Sequence, residues 1–440
     1  MSLTATSDAF ADFVHVSASP TSSLKSSGDQ SSQRESEDCG DSTAEPTNEA
    51  SPPSSLSRFS SALSSSKNAL TARLYNVVRL YPSHPAVFKA DVPIALCGEW
   101  TGYQKFGLSG EIRGWSARGV KGDASVPQHV AACVLMCEKA FVWFTYRRGF
   151  VRIPRTHYTS DAGWGCLLRS AQMMLAKTFM RVLGIPVIRE EDVESPYSQY
   201  RRMLRWFADT TSTASPFSVH AMVAQHLAVR DASLGIEGSS NDDVGSLESL
   251  ETLFMPTEVS RIVAKVVAGH EEASRLLRVT VAKDGTLARS QLFADVTPEH
   301  LASGVDRLPR SLLVLLPMRL GLSGVHEAYH QTIRSSFQFP FSVGIIGGRP
   351  GRAHYFVAQQ GDSIIYFDPH LVQPAADPDL PFDHSPYECT TPQSMDLPTM
   401  DPSMCFGFLL QTVSDIDVFL DYLLQLDENG GGICSIMADE

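Results

Sequence analysis

A cysteine flanked by glycines at the start of an apolar run constrains the fold of this chain more than any other feature. A thiol in the first turn of a helix lies near unpaired N–H groups and the positive end of the helix dipole, and both favour the nucleophilic thiolate. Glycines before it allow a sharp turn and the close approach of a substrate chain. Cys166 is therefore a candidate catalytic nucleophile. The segment is Gly163-Trp164-Gly165-Cys166, followed by apolar residues at 167, 168, 171, 174, 175 and 179.

Composition and charge exclude several classes of protein. The formal net charge of -13 argues against wholesale nucleic-acid binding and against attraction to anionic membranes. No signal peptide begins at Met1, and no apolar run approaches the roughly 20 residues of a membrane-spanning helix. The eight cysteines are sparse and irregularly spaced, which indicates reduced thiols. The sequence therefore predicts a cytoplasmic protein, and nothing in it indicates a cofactor.

The chain divides by composition into three parts. Residues 1–68 are rich in serine and poor in apolar residues, so we expect a disordered tail. Residues 69–427 are expected to form the globular domain, with low-order surface inserts near 231–252 and 374–402. Residues 428–440 are expected to form a flexible C-terminal tail.

Helical patterns precede strand patterns within the globular part. Apolar spacing predicts helices over 166–183 and 256–270. Continuous apolar runs predict one strand over 312–316, ended by Pro317, and another over 341–346, ended by glycines. Strands over 354–358 and 363–367 flank a Gly-Asp turn and indicate a hairpin. This order predicts the α+β fold class.

A cysteine nucleophile needs a base, and His370 is the best placed of the 13 histidines. It follows the apolar run 364–367 in Asp368-Pro369-His370, where side chains two residues apart project to one side. The Asp368 carboxylate would then fix the ring tautomer and stabilise the imidazolium. The alternative is that Asp-Pro simply opens a turn at a strand end. The presence of Cys166 favours the catalytic interpretation.

Stabilising the oxyanion of acyl transfer requires hydrogen-bond donors. The backbone N–H of Cys166 is one candidate, because it lies at a helix start. The Tyr146 hydroxyl is a second, although a tyrosine that only packs in the core would give the same sequence pattern.

Two further patterns offer alternative chemistry. His326-Glu327-Ala328-Tyr329-His330 matches the H-E-x-x-H motif of zinc peptidases. Such a site needs a third ligand, and no Asp or Glu occurs from 331 to 361. The cysteines at 133 and 137 share a helix face, which suits either a redox pair or two buried small side chains. We therefore expect no metal site and keep the zinc peptidase as an alternative.

Several motifs in one order resemble the autophagins, cysteine proteases that process ubiquitin-like autophagy modifiers. The resemblance covers roughly 69–426, excluding the inserts. Its motifs are Phe144-Thr145-Tyr146-Arg147, Thr159-Ser160-Asp161-x-Gly163-Trp164-Gly165-Cys166-x-Leu168-Arg169, Gln172-Met173, Leu316-Pro317-x-Arg319-Leu320-Gly321-Leu322, Gly344-Ile345-Ile346-Gly347-Gly348-Arg349-Pro350, His354-Tyr355-Phe356, Asp368-Pro369-His370, Asp401-Pro402-Ser403-Met404 and Gly407-Phe408.

The resemblance implies a papain-like fold with a small additional domain and a Cys-His-Asp site. By motif position the nucleophile is Cys166, the base His370, the orienting carboxylate Asp368 and the oxyanion-hole tyrosine Tyr146. It implies hydrolysis after the C-terminal glycine of the modifier, both in its precursor and in its conjugate with phosphatidylethanolamine. A monomer that reaches autophagic membranes only through its substrate is expected. A catalytically weak modifier-binding protein with the same fold is the alternative.

The chain departs from the autophagin pattern at the expected substrate entrance. The family usually has a Trp-aromatic-Gly-Pro segment whose tryptophan lies over the substrate glycine. Here the corresponding residues are Leu253-Phe254-Met255-Pro256, without the tryptophan and the glycine. Either Phe254 takes the role of that tryptophan or the entrance is built differently, and we expect Trp164 and Phe254 to be the substrate-binding residues.

Overall fold

The structure, a computed structural model, describes residues 86, 88–89, 92–97, 99–100, 128–234, 254–349, 352–376 and 382–437. All of them belong to one compact unit, Ser54–Glu440. The predicted Ser-rich tail and most of the first predicted insert lie outside the described residues. No helix in the described part is long and apolar enough to cross a membrane.

The helices account for most of the first half of the described chain. They are α1 (Gln128–Lys139), α2 (Cys166–Val182), α3 (Glu190–Glu194), α4 (Gln199–Arg205), α5 (Val219–Leu234), α6 (Pro256–Ala268), α7 (Glu271–Leu276), α8 (Arg289–Leu292), α9 (Pro298–Ala302), α10 (His330–Gln338) and α11 (Val413–Glu428). Short 3-10 helices cover Glu327–Tyr329, Ser385–Tyr387 and Leu397–Thr399.

The strands lie mostly in the second half. They are β1 (Ala95–Leu96), β2 (Glu99–Trp100), β3 (Tyr146–Arg148), β4 (Leu277–Val281), β5 (Thr286–Ala288), β6 (Arg307–Arg319), β7 (Ser342–Arg349), β8 (Arg352–Gln360), β9 (Ser363–Phe367), β10 (Val372–Pro374), β11 (Gln393–Asp396), β12 (Ser403–Thr412) and β13 (Ser435–Met437). This distribution confirms the α+β class.

One large sheet organises the molecule, with strand order β11-β9-β8-β7-β12-β6-β4. The pairings along this path are antiparallel except β4 with β6, and β1 pairs with β8 beside the path. β12 lies between β7 and β6, although it comes last in the chain among the strands of this sheet. Two small parallel ladders, β3 with β10 and β5 with β13, stand apart from it.

Helices cover both faces of the sheet because its central strands are apolar on both sides. Along β6, Leu313 and Leu315 belong to the apolar cluster that contains α2 and α6, whereas Leu312 and Val314 belong to the cluster that contains α10 and α11. Successive side chains of a strand point to opposite faces, so a continuous apolar run requires such a layered arrangement. α2 is buried along most of its length, from Cys166 to Met180.

Two strand boundaries differ from the sequence-based predictions. β6 continues through Pro317 to Arg319. β4 pairs with it only as far as Leu315, so the remainder of β6 is paired with β12 alone. A proline, which lacks an N–H, is tolerated in such a singly paired stretch. β7 continues through Gly347 and Gly348, where an added Cβ would lie 2.4 Å from a backbone oxygen of a neighbouring strand. These glycines therefore permit close strand packing rather than ending the strand.

Two segments expected to lack structure are partly ordered. Within 374–402, β11 forms the edge of the main sheet, and the side chains of Leu397 and Met400 are buried. Within 428–440, Ile433 is buried and β13 pairs with β5. Both predictions relied on local composition, and both segments are held by contacts with residues distant in sequence.

Candidate active site

Cys166 is the first residue of α2, as the sequence predicted. The turn before it contains Gly163 at φ +94, a left-handed conformation that favours glycine. The N–H groups of Trp164 and Gly165 both donate to the carbonyl oxygen of Asp161, which closes the turn. Cys166 is 2% exposed, and α2 packs against β7 and β8. The thiol therefore lies at a helix N-terminus beneath the surface.

Asp368 and His370 lie directly after β9. The His370 Nδ1 is 2.5 Å from the Asp368 Oδ1, which also accepts the backbone N–H of His370 at 3.0 Å. The indole N–H of Trp143 donates to the Asp368 carbonyl at 2.9 Å. The Asp368 carboxylate is thus hydrogen-bonded to Nδ1 of His370, and Nε2 is the ring nitrogen available to the Cys166 thiol.

The structure brings Cys166, His370 and Asp368 together into one hydrogen-bonded series. Burial alone would raise the pKa of the Cys166 thiol, but its hydrogen bond to His370 and the charge of that ring lower it. Burial opposes protonation of His370, yet Asp368 and Cys166 raise the pKa of the ring to about 10. Burial likewise disfavours the Asp368 carboxylate, and the His370 imidazolium holds the pKa of that carboxyl well below its usual range. These interactions favour the thiolate of Cys166 beside the imidazolium of His370.

Alkylation of Cys166 by iodoacetamide is expected to remain fast to a lower pH than alkylation of a free thiol, because His370 lowers the pKa of the Cys166 thiol. A free thiol, in contrast, slows by about tenfold per pH unit below its pKa of about 8.5. The lowered pKa of Cys166 means that its rate falls only as the pH drops through that lower value. The measurement is the alkylation rate against pH, followed by mass spectrometry of the Cys166 peptide. An alkylation rate that follows the pH dependence of glutathione, a free thiol, over the whole pH range would contradict the pairing of Cys166 with His370.

Tyr146 lies beside the same pair. Its backbone N–H donates to the carbonyl of Pro369 at 2.8 Å, and β3 pairs with β10 in the register Tyr146↔Val372. The ring stands edge-on to His370, with centroids 5.4 Å apart, and the Tyr146 side chain lies beside Cys166, where it helps to lower the pKa of the thiol. The Tyr146 hydroxyl and the Cys166 backbone N–H are therefore candidate donors to an oxyanion.

Trp164 and Phe254 are packed together, with ring centroids 6.4 Å apart. Trp164 donates its indole N–H to the Ser160 carbonyl, and Phe254 also contacts the ring of His226 at 5.1 Å. Both aromatic side chains are at most 5% exposed. Leu253 lies outside the described residues. The predicted substrate-contacting pair is thus a buried aromatic layer, with Trp164 in the turn that leads to Cys166 and Phe254 just before α6.

A second histidine, His354 of β8, lies near the Asp368 carboxylate. Its Nε2 is 3.9 Å from the Asp368 Oδ1, and its ring centroid is 5.3 Å from that of His370. Burial is the main cause that lowers the pKa of His354 to about 3, and the positive charge of His370 contributes to the same shift. His354 is therefore neutral at neutral pH. In the sequence, His354 stands out only as part of a motif, because its proximity to Asp368 depends on the β8–β9 pairing.

His326 and His330 do not share one regular helix. His326 has an extended backbone and caps the 3-10 helix Glu327–Tyr329, whereas His330 is the first residue of α10. In the described part of the chain, only His354, Asp368 and His370 form a group of three possible metal-binding side chains. The H-E-x-x-H match thus lacks both the helix and the third ligand of a zinc peptidase.

A cysteine at the N-terminus of a central helix, facing a His-Asp pair at a strand end, defines a papain-like cysteine protease. Residues 135–422 match the family model of the peptidase C54 catalytic domain. The cysteine protease ATG4B of Gallus gallus is 33% identical over 315 residues, covering 64% of this chain and 74% of the relative. The cysteine protease ATG4A of Homo sapiens is 32% identical over 303 residues, covering 63% of this chain and 71% of the relative. ATG4B of Oryza sativa subsp. japonica is 32% identical over 300 residues, covering 66% of this chain and 60% of the relative.

The chain belongs to the peptidase C54 family, the autophagins. It is a cysteine-type peptidase of the autophagy pathway.

Proposed function

We propose that this protease cleaves after the C-terminal glycine of a ubiquitin-like autophagy modifier, both in the precursor and in the conjugate with phosphatidylethanolamine. The observation that carries the proposal is the alignment of Cys166, His370 and Asp368, with the Tyr146 side chain beside the thiol. This set of groups supplies the nucleophile, the acid and an oxyanion donor of acyl transfer.

In the acylation step, the Cys166 thiolate attacks the carbonyl carbon of the substrate glycine. The negative charge that develops on the carbonyl oxygen is stabilised by the Tyr146 hydroxyl and the Cys166 backbone N–H. His370 donates its Nε2 proton to the departing amine, which belongs to the C-terminal extension in the precursor and to phosphatidylethanolamine in the lipid conjugate. The C–N bond breaks, and a thioester to Cys166 remains.

In the deacylation step, water takes the place of the departed amine. His370, now neutral, removes a proton from this water as the oxygen attacks the thioester carbonyl. The same two donors stabilise the second oxyanion, and collapse expels the Cys166 thiolate while His370 keeps the proton. Asp368 holds the ring in one tautomer throughout and offsets the imidazolium charge. The ion pair of the resting enzyme is thereby restored.

The preference for glycine follows from the surroundings of the thiol. Cys166 is almost fully buried, and the aromatic layer of Trp164 and Phe254 lies in the turn before it. A residue without Cβ needs the least room to pass such side chains in an extended conformation. We therefore assign substrate contact to Trp164 and Phe254.

The proposal includes the setting of the reaction. The protein partner is the modifier, free and lipid-conjugated, and the protease approaches autophagic membranes only through that substrate. We propose a cytoplasmic monomer that needs no cofactor, because the proposed site performs both steps with its own side chains.

Incubation with a modifier that carries a C-terminal extension is expected to release a product ending in glycine, as measured by intact-mass spectrometry. The modifier conjugated to phosphatidylethanolamine in vesicles is expected to lose its lipid in a parallel reaction. Iodoacetamide should abolish both reactions, whereas a zinc chelator should leave both unchanged. A substrate with alanine in place of the final glycine is expected to react at least about tenfold more slowly, because the added Cβ meets the aromatic layer.

Each arm of this experiment excludes a different alternative. Sensitivity to the chelator would favour a zinc peptidase. Binding of the modifier without cleavage, with an alkylatable Cys166, would favour the modifier-binding protein. Cleavage of the precursor without release from lipid would contradict the second half of the proposal.

A further inference from the structure

The Asp161 carboxylate connects three parts of the candidate site. It lies five residues before Cys166 and is fully buried, as is its partner Arg169. An ionised pair without solvent contact is costly to bury and is weak evidence for stability by itself. Its two oxygens, however, contact different elements, and those elements carry the two proposed oxyanion donors.

The first oxygen holds β3. Asp161 Oδ1 accepts the backbone N–H of Arg147 at 2.6 Å, and the backbone N–H of Asp161 donates to the Arg147 carbonyl at 3.2 Å. The Ser160 hydroxyl donates to the same carbonyl at 2.9 Å. Arg147 directly follows Tyr146, so these hydrogen bonds determine how far the Tyr146 backbone lies from the turn before Cys166.

The second oxygen holds α2. Asp161 Oδ2 accepts the Arg169 Nε–H at 2.7 Å, and Arg169 is one helical turn after Cys166. The Asp161 carbonyl accepts the N–H groups of Trp164 and Gly165. A Cβ on Gly165 would lie 2.5 Å from Asp161 Oδ2, so only glycine leaves room for this carboxylate.

We propose that Asp161 is a positioning residue that sets the oxyanion hole by fixing the Tyr146 strand against the N-terminus of the Cys166 helix. This inference rests on the proposed function, because it assigns the oxyanion role to Tyr146 and to the Cys166 N–H. Asp161 bonds directly to the elements that carry the donors, whereas the His370–Asp368 part of the ion pair lies in the segment after β9. A displacement of about 1 Å is enough to weaken such an arrangement severely.

The chain offers a matched control for Asp161. Asp209 also pairs with Arg169, with Nη1 and Oδ1 2.9 Å apart, and it is nearly as buried. Among the hydrogen bonds of the described residues, none joins Asp209 to Arg147 or to the turn before Cys166. Asp161→Asn and Asp209→Asn therefore remove the same charge from the same arginine, and only the first disturbs the proposed oxyanion donors.

Asp161→Asn is expected to lower kcat for the extended modifier by about 10²-fold, the usual cost of losing an oxyanion donor. Its amide retains one acceptor oxygen and presents an NH2 group to the remaining donor, so it cannot hold both elements. KM is expected to stay within about threefold of wild type, because the oxyanion donors act in the transition state. The alkylation rate of Cys166 is expected to stay within the same range, because His370 is the main group that lowers the pKa of the thiol. Asp209→Asn is expected to keep kcat within about threefold.

A double-mutant cycle with Tyr146→Phe separates positioning from a general structural role. If Asp161 acts through Tyr146, Asp161→Asn combined with Tyr146→Phe loses no more kcat than the more damaging single variant. Independent effects would multiply to about 10⁴-fold. Multiplying effects, an alkylation rate that falls with kcat, or equal losses in the Asp161 and Asp209 variants would each overturn the inference.

Thermal unfolding verifies that each variant is folded before its kinetics are compared. If Asp161→Asn does not fold, Arg169→Lys takes its place in the cycle, because it keeps the positive charge and removes the Nε–H donor. The same non-additivity with Tyr146→Phe is expected, and additive effects would again overturn the inference. A wild-type protein that does not cleave contradicts the proposed function itself, whereas normal wild-type cleavage with an unimpaired Asp161→Asn contradicts only the positioning role.

Discussion

Cys166→Ala is expected to abolish cleavage of the extended modifier, with kcat falling by roughly 10⁶-fold, as for the loss of the nucleophile in other covalent proteases. The proposed mechanism forms its only covalent bond to this sulfur, and the binding surface left behind has no group that replaces it. Incorporation of iodoacetamide at the site should disappear at the same time. The measurement is single-turnover cleavage with excess protein, followed by intact-mass spectrometry.

Cys434→Ala is the matched control for that variant. Cys434 is the one cysteine of the described residues that is not buried, and it lies in the C-terminal segment before β13. Its side chain is partly buried, and this partial burial raises the pKa of the Cys434 thiol to about 12, so the thiol stays protonated and unreactive at neutral pH. Full activity is therefore expected. Cleavage that survives Cys166→Ala would disprove the thioester mechanism.

His370→Ala is expected to lower kcat by at least about 10³-fold, because the thiolate loses its counter-ion and the leaving amine loses its proton donor. His354→Ala, which removes the neighbouring ring, is expected to retain at least about a tenth of the activity. The two rings differ in their environments: the pKa of His370 is raised to about 10, and that of His354 is lowered to about 3. A group that binds protons as weakly as His354 is a poor base at neutral pH.

The pH dependence of alkylation distinguishes the two histidine variants as well. In His370→Ala the Cys166 thiol should regain a higher pKa, because burial then acts without its main opposing partner. In His354→Ala the profile should remain that of the wild-type protein. Equal loss of cleavage in both variants, with equal changes in the profile, would contradict the assignment of His370 as the base.

The sequence predicted those parts of the site that depend on neighbours in the chain. The helix beginning at Cys166 follows from the spacing of its apolar residues and from the glycines before it. Asp368 and His370 are two residues apart, so their proximity needs only an extended backbone at a strand end. The α+β class follows from the order of helical and strand patterns.

Other features depend on pairings between distant segments and were not predictable by spacing. Tyr146 reaches Cys166 because β3 pairs with β10, more than 200 residues later. His354 approaches Asp368 through the β8–β9 register, and Arg169 meets Asp161 only when α2 has formed. The ordered C-terminal segment was missed for the same reason, since β13 is held by β5 and not by its own composition.

The position of β12 determines when the large sheet can be completed during folding. This strand joins β7 to β6 at the middle of the sheet, yet every other strand of the sheet leaves the ribosome before it. Until β12 is available, the two halves of the sheet have no common partner, and α2 has no completed surface on which to pack. The packing surface for the Cys166 helix is therefore completed only when β12 inserts between β7 and β6, so segments far apart in the chain must fold together before the site exists.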